Sequence, residues 1–281
     1  MTEEMRRKQI GERIREARKR KGLSQEQLGE KLGLSFQAVS TWETGKFIPD
    51  AEHLPALAKA LDLSLDGLFA EKEHRWELEP VNFDPDHMFT FVKTKARDLG
   101  LKQTLQVMDL LRKAHEGQKR KSRYGFETDY IAHPLTMACQ ALAMGIRDDE
   151  VIAVCLAHDM VEDSDGRVKL SDLPEGHIRN AVRLLSKNEC PYVDDDWETL
   201  YYKDIRKNPL ASLVKVLDRV NNVAGMADAF SRDWMIKYTG ETARYYPALL
   251  EVIKKVPEWN DAWWLLRYQL MTQLETYKRL L

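Results

Sequence analysis

Residues 151 to 164 read V-I-A-V-C-L-A-H-D-M-V-E-D-S, and no other stretch restricts the fold of this chain so severely. Seven residues that are apolar on every side call for a helix buried all round, with no wet face. His158, Asp159, Glu162 and Asp163 then follow in what the pattern predicts to be the same helix. Carboxylates taken unpaired into such a setting cost several kcal/mol each, so a partner is required, and a bound metal ion is the economical one. Helical spacing places His158 with Glu162, and Asp159 with Asp163, four residues apart in two neighbouring rows on one face. The competing reading, a helix that simply surfaces at His158, sets an acidic cluster at a helix C-terminus, where the dipole opposes it.

The chain has 281 residues, 43% of them apolar, which is room for two domains with real cores. Its 43 basic and 45 acidic residues nearly cancel, so net charge selects no partner. No apolar run reaches the roughly 20 residues of a membrane span, and the start, M-T-E-E-M-R-R-K, lacks the apolar centre of a signal peptide. A cytoplasmic location without a membrane partner is expected. Cys139, Cys155 and Cys190 sit at no metal-ligand spacing and read as small hydrophobes in a reducing compartment.

Residues 6 to 70 read as short helices punctuated by cap signals. Ile10, Ile14 and Ala17 make an apolar stripe, and Lys21-Gly22 closes the first helix. Ser24 with Gln27 forms a capping box, Gly33 ends the second helix in a tight turn, and Ser35 caps a third, F-Q-A-V-S-T-W-E-T, stopped by Gly45. A fourth runs through L-P-A-L-A-K-A-L, with Pro55 in its first turn, where proline is tolerated. Two short helices joined by a glycine-containing turn form the helix-turn-helix unit, whose second helix enters the major groove. The motifs I-G-E-R-I-R-E-A-R, G-L-S-Q-E-Q-L, S-T-W-E-T-G-K and L-A-K-A-L-D-L-S-L-D-G-L-F together resemble the lambda repressor-like, XRE-type DNA-binding domain. The resemblance implies that Gln25 and the exposed face of Phe36 to Thr41 approach double-stranded DNA. Gln37, Ser40 and Thr41 would read base edges, and Lys46 with Arg13, Arg18, Lys19 and Arg20 would lie near phosphates. A purely protein-binding role for the same fold stays open, because the domain is barely basic.

From Glu71 to Asp86 the composition turns polar and irregular, which marks a boundary. An amphipathic helix from His87 to Leu99 follows, with Met88, Phe91 and Val92 as its expected buried stripe and no indication of what it docks on. Leu105, Val107, Met108, Leu110 and Leu111 form the apolar side of the next helix, which leads into A-H-E-G-Q-K-R-K-S. Its basic residues between Lys119 and Arg123 suit phosphate oxygens, though such runs are commonly solvated turns. His133 precedes Pro134 at the start of a new helix, and proline there fixes the direction of the histidine. In L-A-S-L-V-K-V-L-D-R-V-N-N-V a strongly apolar helix carries one acid, Asp218, with Asn222 one turn on and Lys215 and Arg219 alongside. Pairing of Asp218 with Arg219 is disfavoured, because adjacent helical residues do not face each other. His133, His158, Asp159 and Asp218 make a set of two nitrogens and two oxygens, which suits manganese or iron better than a structural zinc without excluding zinc.

His, then His-Asp, then Asp on successive helices is the signature of HD phosphohydrolases. The wider set A-H-E-G-Q-K-R-K-S, Y-I-A-H-P, A-H-D-M-V-E-D-S, L-L-S-K, V-K-V-L-D-R-V-N-N and Y-T-G-E-T-A-R-Y-Y-P-A-L-L resembles the hydrolase domain of the RelA/SpoT family and its small stand-alone relatives, over about residues 104 to 255. That resemblance implies a manganese-dependent 3′-pyrophosphohydrolase acting on a guanosine or adenosine alarmone such as ppGpp. His133, His158, Asp159 and Asp218 would hold one Mn²⁺ per chain, while Glu162 and Asp163 orient and deprotonate the attacking water. Arg120, Lys121, Lys187 and Asn222 would contact the nucleotide. The segment R-Y-G-F-E-T-D between Ser122 and Tyr130 is longer than the family's loop, which leaves base preference open. Two other readings remain at this point: a nucleotide-sensing regulator in which the HD domain no longer turns over, and an HD nucleotidase of other specificity.

The expected fold class is all-α, with a helix-turn-helix bundle over 1–71, a linker with an amphipathic helix over 72–103 and an HD-type helical domain over 104–281. A homodimer is expected on an operator of its own, because two recognition helices must meet half-sites roughly 34 Å apart. The Trp263-Trp264-Leu265-Leu266 face and the helix around Phe91 are the expected dimer surfaces, unless both are core. An autoregulating antitoxin opposing an alarmone synthetase would account for the pairing of the two domains.

Overall fold

Cap chemistry sets the first helices where the sequence puts them. A computed structural model describes residues 3–69, 84–121, 127–193 and 196–281. The chain divides into two units, residues 1–80 and 81–281. In the first, α1 (Glu3–Arg20), α2 (Gln25–Leu32), α3 (Phe36–Glu43), α4 (Leu54–Leu61) and α5 (Leu65–Phe69) enclose a small core. Ile10, Ile14, Ala17, Leu28, Val39, Trp42, Leu57, Leu61 and Leu68 fill it. Ser24 and Gln27 close the reciprocal capping box, Ser35 caps α3, and Gly33 ends α2 at φ 68°. Pro55 occupies the first turn of α4. At Gly11 a Cβ would collide with the carbonyl oxygen of Trp42, so glycine is what lets α1 and α3 approach this closely.

Arg18 departs from the phosphate-contacting role expected of the first helix. It is buried, its Nε and Nη2 donate to the two carboxylate oxygens of Glu43 at 2.5 and 3.0 Å, and its Nη1 donates to the Leu23 carbonyl. A two-pronged guanidinium satisfies a buried carboxylate in a way water can no longer reach, which ties α1 to α3.

The second unit is helical, with one short β-ladder. Its helices are α6 (Pro85–Leu99), α7 (Lys102–Ala114), α8 (Ala132–Ala143), α9 (Asp149–Ala157), α10 (Met160–Asp163), α11 (His177–Leu185), α12 (Trp197–Ile205), α13 (Pro209–Ala229), α14 (Arg232–Ile253) and α15 (Asn260–Leu280). Strands β1 (Lys119–Lys121) and β2 (Glu127–Asp129) pair antiparallel between α7 and α8, with Arg120 opposite Thr128. At the centre stands α9, whose residues Val151 to Ala157 are all buried, packed against α7, α8, α11 and α13. The cysteines are free thiols, with Cys155 buried and Cys139 and Cys190 half-buried. Among the described residues no helix is long and apolar enough to cross a membrane.

Part of the expected linker, residues 72–83, lies outside the described residues. The amphipathic helix after it, α6, buries Met88, Phe89, Val92 and Ala96 in the core of the second unit, packed on α7 and α8. Phe91, expected in that stripe, is exposed and Phe89 takes its place. The last helix is divided in the same way: Trp263 and Leu266 are core, and Trp264 and Leu265 face outward.

A further difference shapes the site. The helix running into His158 does not continue to Ser164: α9 stops at Ala157, the chain turns at His158 and Asp159, and α10 resumes at Met160. Asp159 sits at φ −101°, ψ −5°, flatter than helix. The His158 ring donates from Nδ1 to the carbonyl of Cys155 at 2.9 Å, the group a continuous helix would pair with the Asp159 N–H. The single helix expected here is therefore broken at His158–Asp159, although the Asp163 N–H still reaches the Asp159 carbonyl at 2.8 Å and the two carboxylates stay close enough to share the Tyr130 phenol.

Candidate functional site

Four polar side chains, from two helices and the α9–α10 turn, converge on one point. His133 lies in the first turn of α8, one position before Pro134, and His158 and Asp159 occupy the turn between α9 and α10. Asp218 comes from the middle of α13. The Nε2 atoms of His133 and His158 and a carboxylate oxygen of Asp218 lie within 4.8 Å of one another, and all three residues are buried. Asp218 Oδ1 is 3.3 Å from His133 Nε2 and 3.9 Å from His158 Nε2. Asp159 Oδ2 is 3.7 and 2.9 Å from the same two nitrogens.

Both rings are held from behind. His133 Nδ1 meets Asn221 Oδ1 at 2.7 Å, and His158 Nδ1 meets the Cys155 carbonyl. Acceptors at both Nδ1 atoms place the ring protons there and turn the Nε2 lone pairs toward the common centre, the arrangement that backs metal-binding histidines. His158 Nε2 is buried and has no hydrogen-bond partner of acceptable geometry. Two nitrogens, one of them buried without a well-aligned partner, and two carboxylates fit a divalent cation. Burial alone would lower the His158 pKa, but Asp159 and Asp218 outweigh it and raise it to about 9. Burial would raise the carboxyl of Asp159, yet His158 brings it down to about 2, and Asp218 is held well below the usual carboxylate range by His133 and Lys215.

Glu162 and Asp163, in α10 just after this turn, sit in different settings. Glu162 accepts from the backbone N–H of Lys187 at 3.0 Å. Asp163 accepts from the phenol of Tyr130, whose oxygen is also 3.4 Å from Asp159 Oδ2. Burial first, then the charges of Asp159 and Asp163, push the Tyr130 phenol well above its ordinary range, so it stays a donor. Its ring stacks on the buried His115 at 4.7 Å, and Gln118 donates to the Asp163 carbonyl at 2.7 Å. On the other side Arg120 donates to Asn222 Oδ1 at 2.8 Å, and Asn222 donates in turn to Asp218 Oδ1 at 2.5 Å. Arg120 is thereby wired to the cluster across the β-ladder. Lys121 lies in β1, and its side chain is outside the described residues, as is the loop 122–126. Lys215 approaches Asp218 at 3.6 Å, whereas Arg219 pairs with Glu241 at 2.6 Å and not with its neighbour.

Sequence reasoning gave no role to Asn221, Tyr130 or Gln118. For Asn221 a signal existed, since it stands three residues after Asp218 on the same helix and so on nearly the same face.

In the first unit, α3 presents Phe36 and Gln37 fully and Ser40 and Thr41 partly to solvent, one continuous helical face, with Lys46 exposed just beyond. The Thr41 hydroxyl is turned back onto the Ala38 carbonyl at 2.8 Å. Gln25 is half-buried and donates to Glu43 at 2.8 Å, which fixes the side chain at the start of α2.

Residues 14–68 match the family model described as Helix-turn-helix. Over 65 residues the chain is 37% identical to the HTH-type transcriptional activator BcrR of Enterococcus faecalis, a match covering 23% of this chain and 32% of BcrR. Over 77 residues it is 33% identical to the SPbeta prophage-derived uncharacterized HTH-type transcriptional regulator YonR of Bacillus subtilis (strain 168), covering 27% of this chain and 71% of YonR. The chain thus spans about a third of BcrR and the larger part of YonR. Among solved structures it is similar to a metazoan ortholog of SpoT described as hydrolyzing ppGpp and playing a role in starvation responses. That likeness has a TM-score of 0.47 and 18% identity over 63% of this chain and 94% of the other. At this distance it carries no weight for activity, and the second unit stands on its own residues.

Proposed function

We propose that this chain, which belongs to the helix-turn-helix family through residues 14–68, joins a DNA-reading unit to a metal-dependent phosphohydrolase. The observation that carries the enzymatic half is the convergence of His133, His158 and Asp218 within 4.8 Å, with both imidazoles held by their Nδ1 atoms. His133, His158, Asp159 and Asp218 would hold the ion, by the resemblance Mn²⁺, which when bound supplies positive charge to a phosphoryl group and to the water that attacks it.

The chain's own groups do the rest. Tyr130 occupies Oδ2 of Asp163 and aims its other oxygen, Oδ1, so that this oxygen takes the proton of the attacking water. Glu162, pinned by the Lys187 N–H, orients that water from a second side. Arg120, held by Asn222, meets the anionic substrate, and by the motif resemblance Lys121 and Lys187 would contact it as well. The substrate is an alarmone carrying a 3′-pyrophosphate on guanosine or adenosine, a choice that rests on the motif resemblance.

Gln37, Ser40 and Thr41 on α3 read base edges while Lys46 meets phosphate, and Gln25 braces the start of α2. Two copies of the chain would bind one operator, ahead of its own gene, so that a hydrolase erasing a growth-arresting nucleotide also sets its own level. The deciding experiment is pyrophosphate release from a panel of guanosine and adenosine nucleotides by the full chain with Mn²⁺, beside Asp218→Ala. Activity that is equal in both proteins, or absent with every nucleotide, refutes the enzymatic half. Footprinting on the upstream DNA tests the other.

A further inference from the structure

The two histidines of the cluster are braced by groups of different kinds. His158 Nδ1 meets a main-chain oxygen, that of Cys155, at 2.9 Å, and His133 Nδ1 meets a side chain, Asn221 Oδ1, at 2.7 Å. An imidazole with a single ring proton can place it on either nitrogen, and only the nitrogen left bare can bind a cation. At His133 the two ends of the ring compete for it. Asp218 Oδ1, 3.3 Å from Nε2, draws the proton to the side facing the cluster, and Asn221 Oδ1 draws it to the side facing away. The Asn221 contact is the shorter. The His133 side chain is 3% exposed, so solvent has little access to replace either acceptor.

From this we infer that Asn221 is a positioning residue for the ion site: it holds the proton of His133 on Nδ1 and so keeps Nε2 bare toward the centre. The inference deepens the reading of His133, His158, Asp159 and Asp218 as a divalent-ion site, and rests on it. Helix α13 makes the arrangement possible. Asp218, Asn221 and Asn222 fall at i, i+3 and i+4 on one face, so this helix supplies a ligand, the brace of a second ligand and, through the 2.5 Å contact of Asn222 with Asp218 Oδ1, a brace of the first. At His158 the acceptor belongs to the backbone, whereas at His133 it is set by the residue at 221. An amide oxygen there polarises the ring without adding charge. A carboxylate would make the ring a stronger ligand, and an alkyl group would surrender the proton to Asp218.

Asn221→Leu and Asn221→Asp, both of asparagine's branched shape, separate the acceptor from the space it fills. In the full chain at one fixed pH, titration calorimetry with Mn²⁺ should show Asn221→Leu binding roughly 10–100-fold more weakly than the wild type, and Asn221→Asp at least as tightly as the wild type. In the ion-free proteins, long-range nitrogen-proton spectra of the histidine rings, assigned against His133→Gln, should show a proton on Nδ1 of His133 in the wild type and Asn221→Asp, and on Nε2 in Asn221→Leu. An ion-free wild type whose His133 proton sits on Nε2 alone overturns the inference, whether or not the variants fold. So does an Asn221→Leu that binds as the wild type does, or an Asn221→Asp that binds as weakly as Asn221→Leu; in both cases the wild type still takes the ion and the site stands. A wild type that takes up no divalent ion overturns the site and the role of Asn221 with it.

Discussion

Divalent-ion affinity should climb steeply with pH. In the metal-free protein Asp159 and Asp218 raise His158 to about 9 against the opposing effect of its burial. A cation needs the Nε2 lone pair, so below that value binding displaces a proton, and apparent affinity changes by about tenfold per pH unit. From pH 7 to pH 9 it should therefore rise roughly a hundredfold and then level off. The sign for stability runs the other way in chelated protein: a raised histidine contributes fully below its ordinary 6.5, and the contribution is lost as pH climbs through about 9. Loading the ion removes that loss, because the site then holds no proton. At a thousandfold excess over Kd the ion adds about 4 kcal/mol, which for a unit of some 200 residues raises the melting temperature by about 8–16 °C. Since His133, His158, Asp159 and Asp218 all lie in the unit spanning 81–281, only its transition should move, leaving that of the first unit in place. Titration calorimetry at a series of pH values, with scanning calorimetry at each, measures both effects, and Asp218→Ala should abolish them. An affinity indifferent to pH, or a melting curve no divalent ion moves, would refute the reasoning.

Asp163→Asn should lower pyrophosphate release by about 10²–10⁴-fold while leaving ion binding intact, because Asp163 lies outside the ligand cluster and moves the proton; calorimetry and turnover assays on the same sample separate the two. Arg219→Met should destabilise the second unit by about 3–5 kcal/mol, since it strands Glu241 beside Tyr202, and Glu241→Gln in the same chain should recover part of it; urea unfolding reads the cycle. On operator DNA, Gln37→Ala should cost about 1–3 kcal/mol at one base position, whereas Lys46→Ala should weaken all sequences alike and lower the salt dependence by about one ion, measured by titration at several salt concentrations.

How much of this was legible depended on whether the determinant was local. Ser24 with Gln27, Gly33 and Pro55 act within a few residues of themselves, so caps and turns came out where chemistry put them. The gathering of His133, His158, Asp159 and Asp218 was legible for a different reason: each is a polar residue in an apolar helix, and burial leaves such residues nowhere to go but together. What stayed hidden were choices between neighbours. Phe89 or Phe91, and Trp263 or Trp264, differ by a rotation of the helix that only its packing partners decide. Arg18 reads as one of a basic run, and nothing in its own segment announces Glu43 on another helix as its partner. The break at His158–Asp159 is set by a side chain competing for the Cys155 carbonyl, a contest that periodicity does not register.

That break also bears on charge. Asp159 and Asp218 stand at the centre, and Asp163 shares the Tyr130 phenol with Asp159. Two fixed cations are tied to them, Lys215 directly and Arg120 through Asn222. Carboxylates gathered in surroundings this poorly solvated are costly to keep charged. In the metal-free protein His158 takes up part of the deficit as a proton, which is why its pKa climbs despite burial. A divalent ion held by His133, His158, Asp159 and Asp218 would offset these carboxylates and free that proton, with Arg120, held through Asn222, close by to meet an incoming phosphate.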